Sequence, residues 1–278
     1  MNPTSIEPAS TDPARGTEPV RARPAPRSAP AGVTRRVLAQ ARYETRTMLR
    51  NGEQLLLLVI LPVMALLALS WTDLLDGLLP AGAQRLDLVV PGVLALCVIS
   101  NAFSGQGIQT GFDRRYGVLR QLSTTPLGRT GLIAGKLGAI LAVLAVQAAL
   151  IVAIALIMGW RPDPVGLLPA ALVLVAGAAV FTGLGLLVAG TLRAEATLAI
   201  VNLLWVLLAA AGGTLAPAAS LPGPVAVLVS LLPSAALGDA LRLILLGGDA
   251  LQLLGPLVVL AVWGVVSWIA AVRLFRWS

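Results

Sequence analysis

Residues 132–158 read LIAGKLGAILAVLAVQAALIVAIALIM, a stretch in which Lys136 is the only charge and Gln147 the only amide. As a helix it would run about 40 Å at ~1.5 Å per residue, more than the ~30 Å of a bilayer's hydrocarbon. Five further stretches have the same character, at 54–72, 89–111, 166–190, 197–216 and 254–275. The spacing therefore predicts an all-α polytopic membrane protein with six transmembrane helices. Composition agrees: the chain is 57% hydrophobic and 12% charged with mean hydropathy +0.88, against ~45–50% and ~25% for soluble domains. The chain has no histidine and a single cysteine, Cys97. That excludes Ser-His-Asp and Cys-His catalysis, HExxH zinc sites and any disulfide framework. No metal site is expected.

Outward from this apolar body, three segments differ. Residues 1–31 are rich in proline and arginine and poor in large apolar side chains, which predicts a disordered cytoplasmic tail. Residues 32–52 hold a basic amphipathic helix. Val33, Val37, Leu38, Ala41, Thr45, Met48 and Leu49 fall on one side, and Arg35, Arg36, Arg42, Arg46 and Arg50 on the other. The expected place for such a helix is the headgroup plane, arginines toward anionic lipid, although Glu44 falls on its apolar side. With the amino terminus inside, most basic residues face inward and only Arg85, Arg161 and Arg242 face outward, so both termini are expected in the cytoplasm. The third segment, 217–250, is apolar but interrupted by Pro233 and by Asp239 and Arg242; it reads as short helices entering from the outer face.

Polar residues concentrate in the second span. Cys97, Asn101, Ser104, Gly105 and Ile108 would share one face of a regular helix. Asn101, Ser104 and Gln109, with Asn202 and Trp205 of the fifth span, are candidates for a translocation path, and hydrogen bonding between helices is an equally good reading. Gly131, Gly135 and Lys136 do not make a phosphate loop: three residues separate the glycines and Leu137 follows the lysine. A small-residue stripe for helix packing explains them better. With few aromatics and its basic residues clustered, the chain is not expected to bind nucleic acid.

The loop between the second and third spans, FDRRYGVLRQLSTTP over 112–126, places Leu119 and Leu122 three apart on a short helix ending at Pro126. It reads as a rigid knob with an apolar tip. This loop resembles that of ABC-2 type permeases, the membrane subunits of ATP-binding cassette exporters. Asp113, Arg114, Gly117, Leu119, Leu122, Thr125, Pro126, Arg129, Gly135 and Lys136 fit the family's pattern, while Arg115 stands for a second acid and Val118 for a threonine. Near the carboxyl end Gly212-Gly213, Pro217, Leu221-Pro222, Leu232-Pro233 and Ala240-Leu241-Arg242 resemble the outer loop and re-entrant helices before the last span.

The resemblance implies a type V ABC exporter fold over 53–278, with a connecting helix at 32–52 and a coupling loop at 112–130. Asp113, Arg114, Gly117, Leu119, Leu122, Thr125 and Pro126 would dock a cytoplasmic ATPase, two copies of which bind the ATP and magnesium. This chain would hold no cofactor or catalytic site of its own, and would work with a second permease copy, identical or a close paralogue. Daunorubicin-resistance-like drug exporters are the nearest type. The implied activity is outward movement of a hydrophobic or amphipathic compound across the cell membrane. The alternatives are polysaccharide or glycolipid export, and a self-sufficient secondary transporter or membrane enzyme.

Overall fold

The computed structural model describes residues 32–50, 52–79, 82–123 and 128–274. The 1–31 tail lies outside them, as do Thr125 and Pro126. The chain is helical along nearly all of this length, and the described residues include no strand.

Helix α1 (Val33–Arg50) precedes α2 (Gly52–Trp71), which ends in a single 3₁₀ segment, Asp73–Leu78. Arg85 fixes that turn. Its guanidinium meets Asp73 at 2.9 Å and Asp76 at 2.6 Å, and donates to the Ser70 carbonyl at 3.0 Å. The next helix starts at a capping box of Gln84 and Asp87, which satisfies two orphan donors. It runs as α3 (Arg85–Val98), widens into a π-helical stretch at Ile99–Gly105, and continues as α4 (Gln106–Arg115). Leu86 and the whole run from Leu88 to Val98 are buried, so this long helix is the axis of the bundle, with α2, α6, α7, α8 and α10 packed around it.

A short α5 (Val118–Ser123) leads to α6 (Gly128–Ile157), then α7 (Leu167–Thr191) and α8 (Ala194–Ala210). Helices α9 (Gly223–Ser230) and α10 (Pro233–Leu245) meet at 90°, and α11 (Ala250–Leu274) closes the chain. Among the described residues four helices are long and apolar enough to cross a membrane, or five if the bent pair is one span. Helix α8 has 17 residues, or ~25 Å, and falls short. The sequence reading carried it to residue 216. It stops at Ala210 because the chain turns at Gly213, whose φ is +72°, and because Arg242 of α10 takes the carbonyls of Gly213, at 3.3 Å, and Thr214. Outer faces of α7 and α11 carry exposed Leu168, Leu172, Val258, Val262 and Val265, the surface a helix presents to hydrocarbon.

Within the π stretch, two neighbouring polar side chains reach two different helices. Asn101 donates to Gln147 of α6, whereas Ser100 accepts from the Trp205 indole of α8 at 2.9 Å. The widened backbone also presses on α7. A Cβ on Gly185 would lie 2.8 Å from the Phe103 carbonyl oxygen and 3.2 Å from that of Ala102. Trp160, just beyond α6, is 1% exposed and donates to Asp87 of α3 at 3.1 Å.

Gly185→Ala should therefore cost about 1–3 kcal/mol through overpacking against fixed backbone and lower the Tm in detergent. Gly255→Ala, at a position open within 4 Å, should leave it unchanged.

Candidate functional site

The α5 end of the bundle is built on glycine. A Cβ at Gly135 of α6 would sit 2.6 Å from the Gln40 Cγ, and one at Gly138 would sit 3.2 Å from the Ala41 Cβ. The small-residue stripe of the third span thus has a definite partner, and it is α1. Seating α1 this closely brings Glu44, one turn after Gln40, against Lys136.

Lys136 Nζ lies 2.9 Å from Asp113 Oδ2 and 3.5 Å from Glu44 Oε1, and the three side chains are 2%, 22% and 6% exposed for Lys136, Asp113 and Glu44. Amides complete the cluster. Gln40 and Gln109 donate to the two oxygens of Glu44, each at 2.9 Å, and Gln106 donates to Gln109 at 3.3 Å. A buried ammonium without partners would cost several kcal/mol; two carboxylates and the amides around them compensate it. The cluster carries one net negative charge and joins three separate segments: α1, the end of α4 and the start of α6.

Beyond Asp113 the chain turns through Gly117, at φ +73°, which permits the sharp bend between α4 and α5. Arg114 faces inward. It donates to the carbonyls of Gly190, at 2.8 Å, and Leu192, satisfying groups left open at the end of α7. Arg115 pairs with Glu195 of α8 and lies 5.9 Å from the centre of the Tyr116 ring, which stacks on Phe112.

Here the expected knob needs correction. Leu119 is 2% exposed and packs inward, because α5 folds back against α4 and α6. The outward side chains of the elbow are Tyr116, 70% exposed, and Val118, 36% exposed. Asp113 and Arg114 are likewise committed within the chain. The side chain of Leu122 lies outside the described residues with Thr125 and Pro126.

On α1, Arg35, Arg42, Arg46 and Arg50 are exposed and Arg36 half-buried. On the other side Val37, Ala41, Thr45 and Met48 are buried or half-buried together with Gln40 and Glu44, whereas Val33 and Leu38 are exposed. Lys136 compensates the burial of the Glu44 carboxylate there.

The five path candidates are not brought together. Asn101 is buried against Gln147, Ser104 is half-buried in the π stretch, Gln109 serves Glu44, and Trp205 is bonded to Ser100. Asn202 alone faces outward from α8. Lys136 and Glu44 were the residues sequence reasoning missed. The available signal was a lone lysine and a lone acid, each on an otherwise small or apolar helix face. No group of three His, Cys, Asp or Glu suited to a metal occurs among the described residues.

A family model for the ABC-2 family transporter protein matches residues 82–273. No curated protein matches the chain. Asp113 and Lys136 lie within the matched region, and Glu44 lies before it.

The charge count predicts an asymmetry. Lys136→Met leaves the buried Glu44 and the half-buried Asp113 without their cation and should cost ~3–5 kcal/mol. Asp113→Asn leaves a neutral Lys136–Glu44 pair and should cost ~1 kcal/mol. Thermal unfolding of both variants in one detergent checks the order.

Proposed function

The chain belongs to the ABC-2 transporter family, and on that premise we propose that it is the permease subunit of an exporter driven by a separate cytoplasmic ATPase. The family match over most of the helical region carries this reading. ATP and magnesium then belong to the ATPase, and this chain supplies the passage through the bilayer, in type V form with six spans counting α2 and α8.

With both termini cytoplasmic, the α5 end faces the ATPase and the Asp239–Arg242 end faces outward, where α9 and α10 form the re-entrant pair. Helix α1 lies at the inner interface with Arg35, Arg42, Arg46 and Arg50 toward anionic headgroups. Two copies would enclose the path. Asn202, polar and outward-facing on an apolar helix, supports a partner at α8, because a lipid-facing amide is costly. The cargo is a hydrophobic or amphipathic compound of the kind moved by daunorubicin-resistance-like exporters.

The ATPase contact is the 112–126 elbow, revised to the residues that reach solvent. Tyr116 and Val118 form its apolar tip, and Arg115 with Glu195 its charged rim. Leu119 shapes the elbow from within, held by the turn at Gly117.

Purification of the tagged chain from its native membranes, with mass spectrometry of what remains bound, tests this directly. A soluble nucleotide-binding ATPase should co-purify. Tyr116→Glu with Val118→Asp should reduce its recovery at least about tenfold, the loss of a small hot spot, without changing the Tm of the permease. Unchanged recovery would move the contact elsewhere, and no ATPase at all would overturn the exporter reading.

A further inference from the structure

Granting that the elbow receives the ATPase, we infer that Glu44 is a positioning residue: through Lys136 it makes α1 move with the elbow, so that a push on α5 is felt by the interface helix. This rests on the proposed docking role and adds to it a route of transmission by named residues.

The structural case begins with what holds the elbow. Asp113 is the last acidic residue before the Gly117 turn, and Lys136 binds it at 2.9 Å. A displacement of the α4 end without α6 would separate that buried pair, and displacement of α6 without α1 would separate Lys136 from Glu44. Both separations strand charge out of water, which costs far more than bending a loop. The glycine contact supplies the second constraint. Gly135 and Gly138 bring α1 close to α6, which keeps Glu44 within reach of Lys136.

Glu44 is also held independently of the lysine by Gln40 and Gln109. Gln109 is on the same helix as Asp113, one turn earlier, so Glu44 is bound to α4 directly as well as through Lys136. The cluster is therefore a closed loop of contacts among α1, α4 and α6. Gly117, at φ +73° with its Cβ position open, is the turn outside that loop. Force arriving at Val118 crosses the Gly117 turn, and force arriving at Tyr116 enters α4 directly, before either reaches the three-helix cluster.

Glu44→Gln isolates the claim. It keeps shape, leaves a neutral Lys136–Asp113 pair, and removes the charge that binds α1 together with one of the two amide bonds that Glu44 accepts. The permease–ATPase complex in nanodiscs is compared with and without ATP plus orthovanadate by backbone hydrogen exchange over residues 33–50. In the native complex, nucleotide trapping should change exchange there about threefold or more, the response of a local unit whose stability is altered. In Glu44→Gln the ATPase should still bind and the nucleotide response should fall to less than half on a logarithmic scale. Glu44→Asp, which keeps the charge, should retain most of it. Glu44→Leu gives the same reading if the amide is not accommodated, since it adds no unpaired polar group. A native-sized response in both Glu44→Gln and Glu44→Leu would overturn the inference while the docking reading stands. A native chain that binds no ATPase would overturn both.

Discussion

A single ammonium taken out of water dictates the arrangement at the α5 end of this molecule. Lys136 can be buried there only because Asp113 and Glu44 reach it from two other segments, with Gln40 and Gln109 completing the shell. To supply Glu44, α1 must lie on α6 within glycine distance. To supply Asp113, α4 must extend past the π stretch to the Gly117 turn. The elbow, the interface helix and the third span are thus placed by one electrostatic requirement, and the exposed Tyr116 and Val118 are what remains on the surface once it is met.

The long α3–α4 helix carries that arrangement into the rest of the bundle. Within it Ser100 bonds to α8 and Asn101 to α6, so that side chains suggestive of a polar channel serve as bonds between helices within one chain. At the other end Arg242 does comparable work. It pairs with Asp239 at 2.7 Å and takes the carbonyls that the Gly213 turn leaves open, which fixes α10 beneath the end of α8. Both ends are held by buried cations that find their partners inside the chain.

Most helices were legible in the sequence because apolar runs of that length have few other solutions. Membership of the ABC-2 family was legible in the 112–126 motif, since its glycine, leucines and proline occur in a fixed order. What periodicity could not give was the orientation of individual side chains. It left Glu44 on the apolar side of α1 without a partner because the compensating lysine is far away in sequence, at position 136. It turned Leu119 outward because burial of α5 against α4 and α6 is a tertiary event. The end of α8 was misjudged for a similar reason: residues 211–216 are apolar enough to continue it, and only the distant Arg242 explains why they turn.

The central claim is that Lys136 and Glu44 act as a pair across α1 and α6, and a double-mutant cycle in detergent tests it most directly. Lys136→Met alone leaves the buried Glu44 and the half-buried Asp113 without their cation, and adding Glu44→Gln removes one of the two charges. The account predicts that the double variant has a higher Tm than Lys136→Met alone, with a coupling of at least ~1 kcal/mol. A double variant that is less stable than Lys136→Met by the full cost of Glu44→Gln alone would mean that the two residues act independently, and would contradict the account.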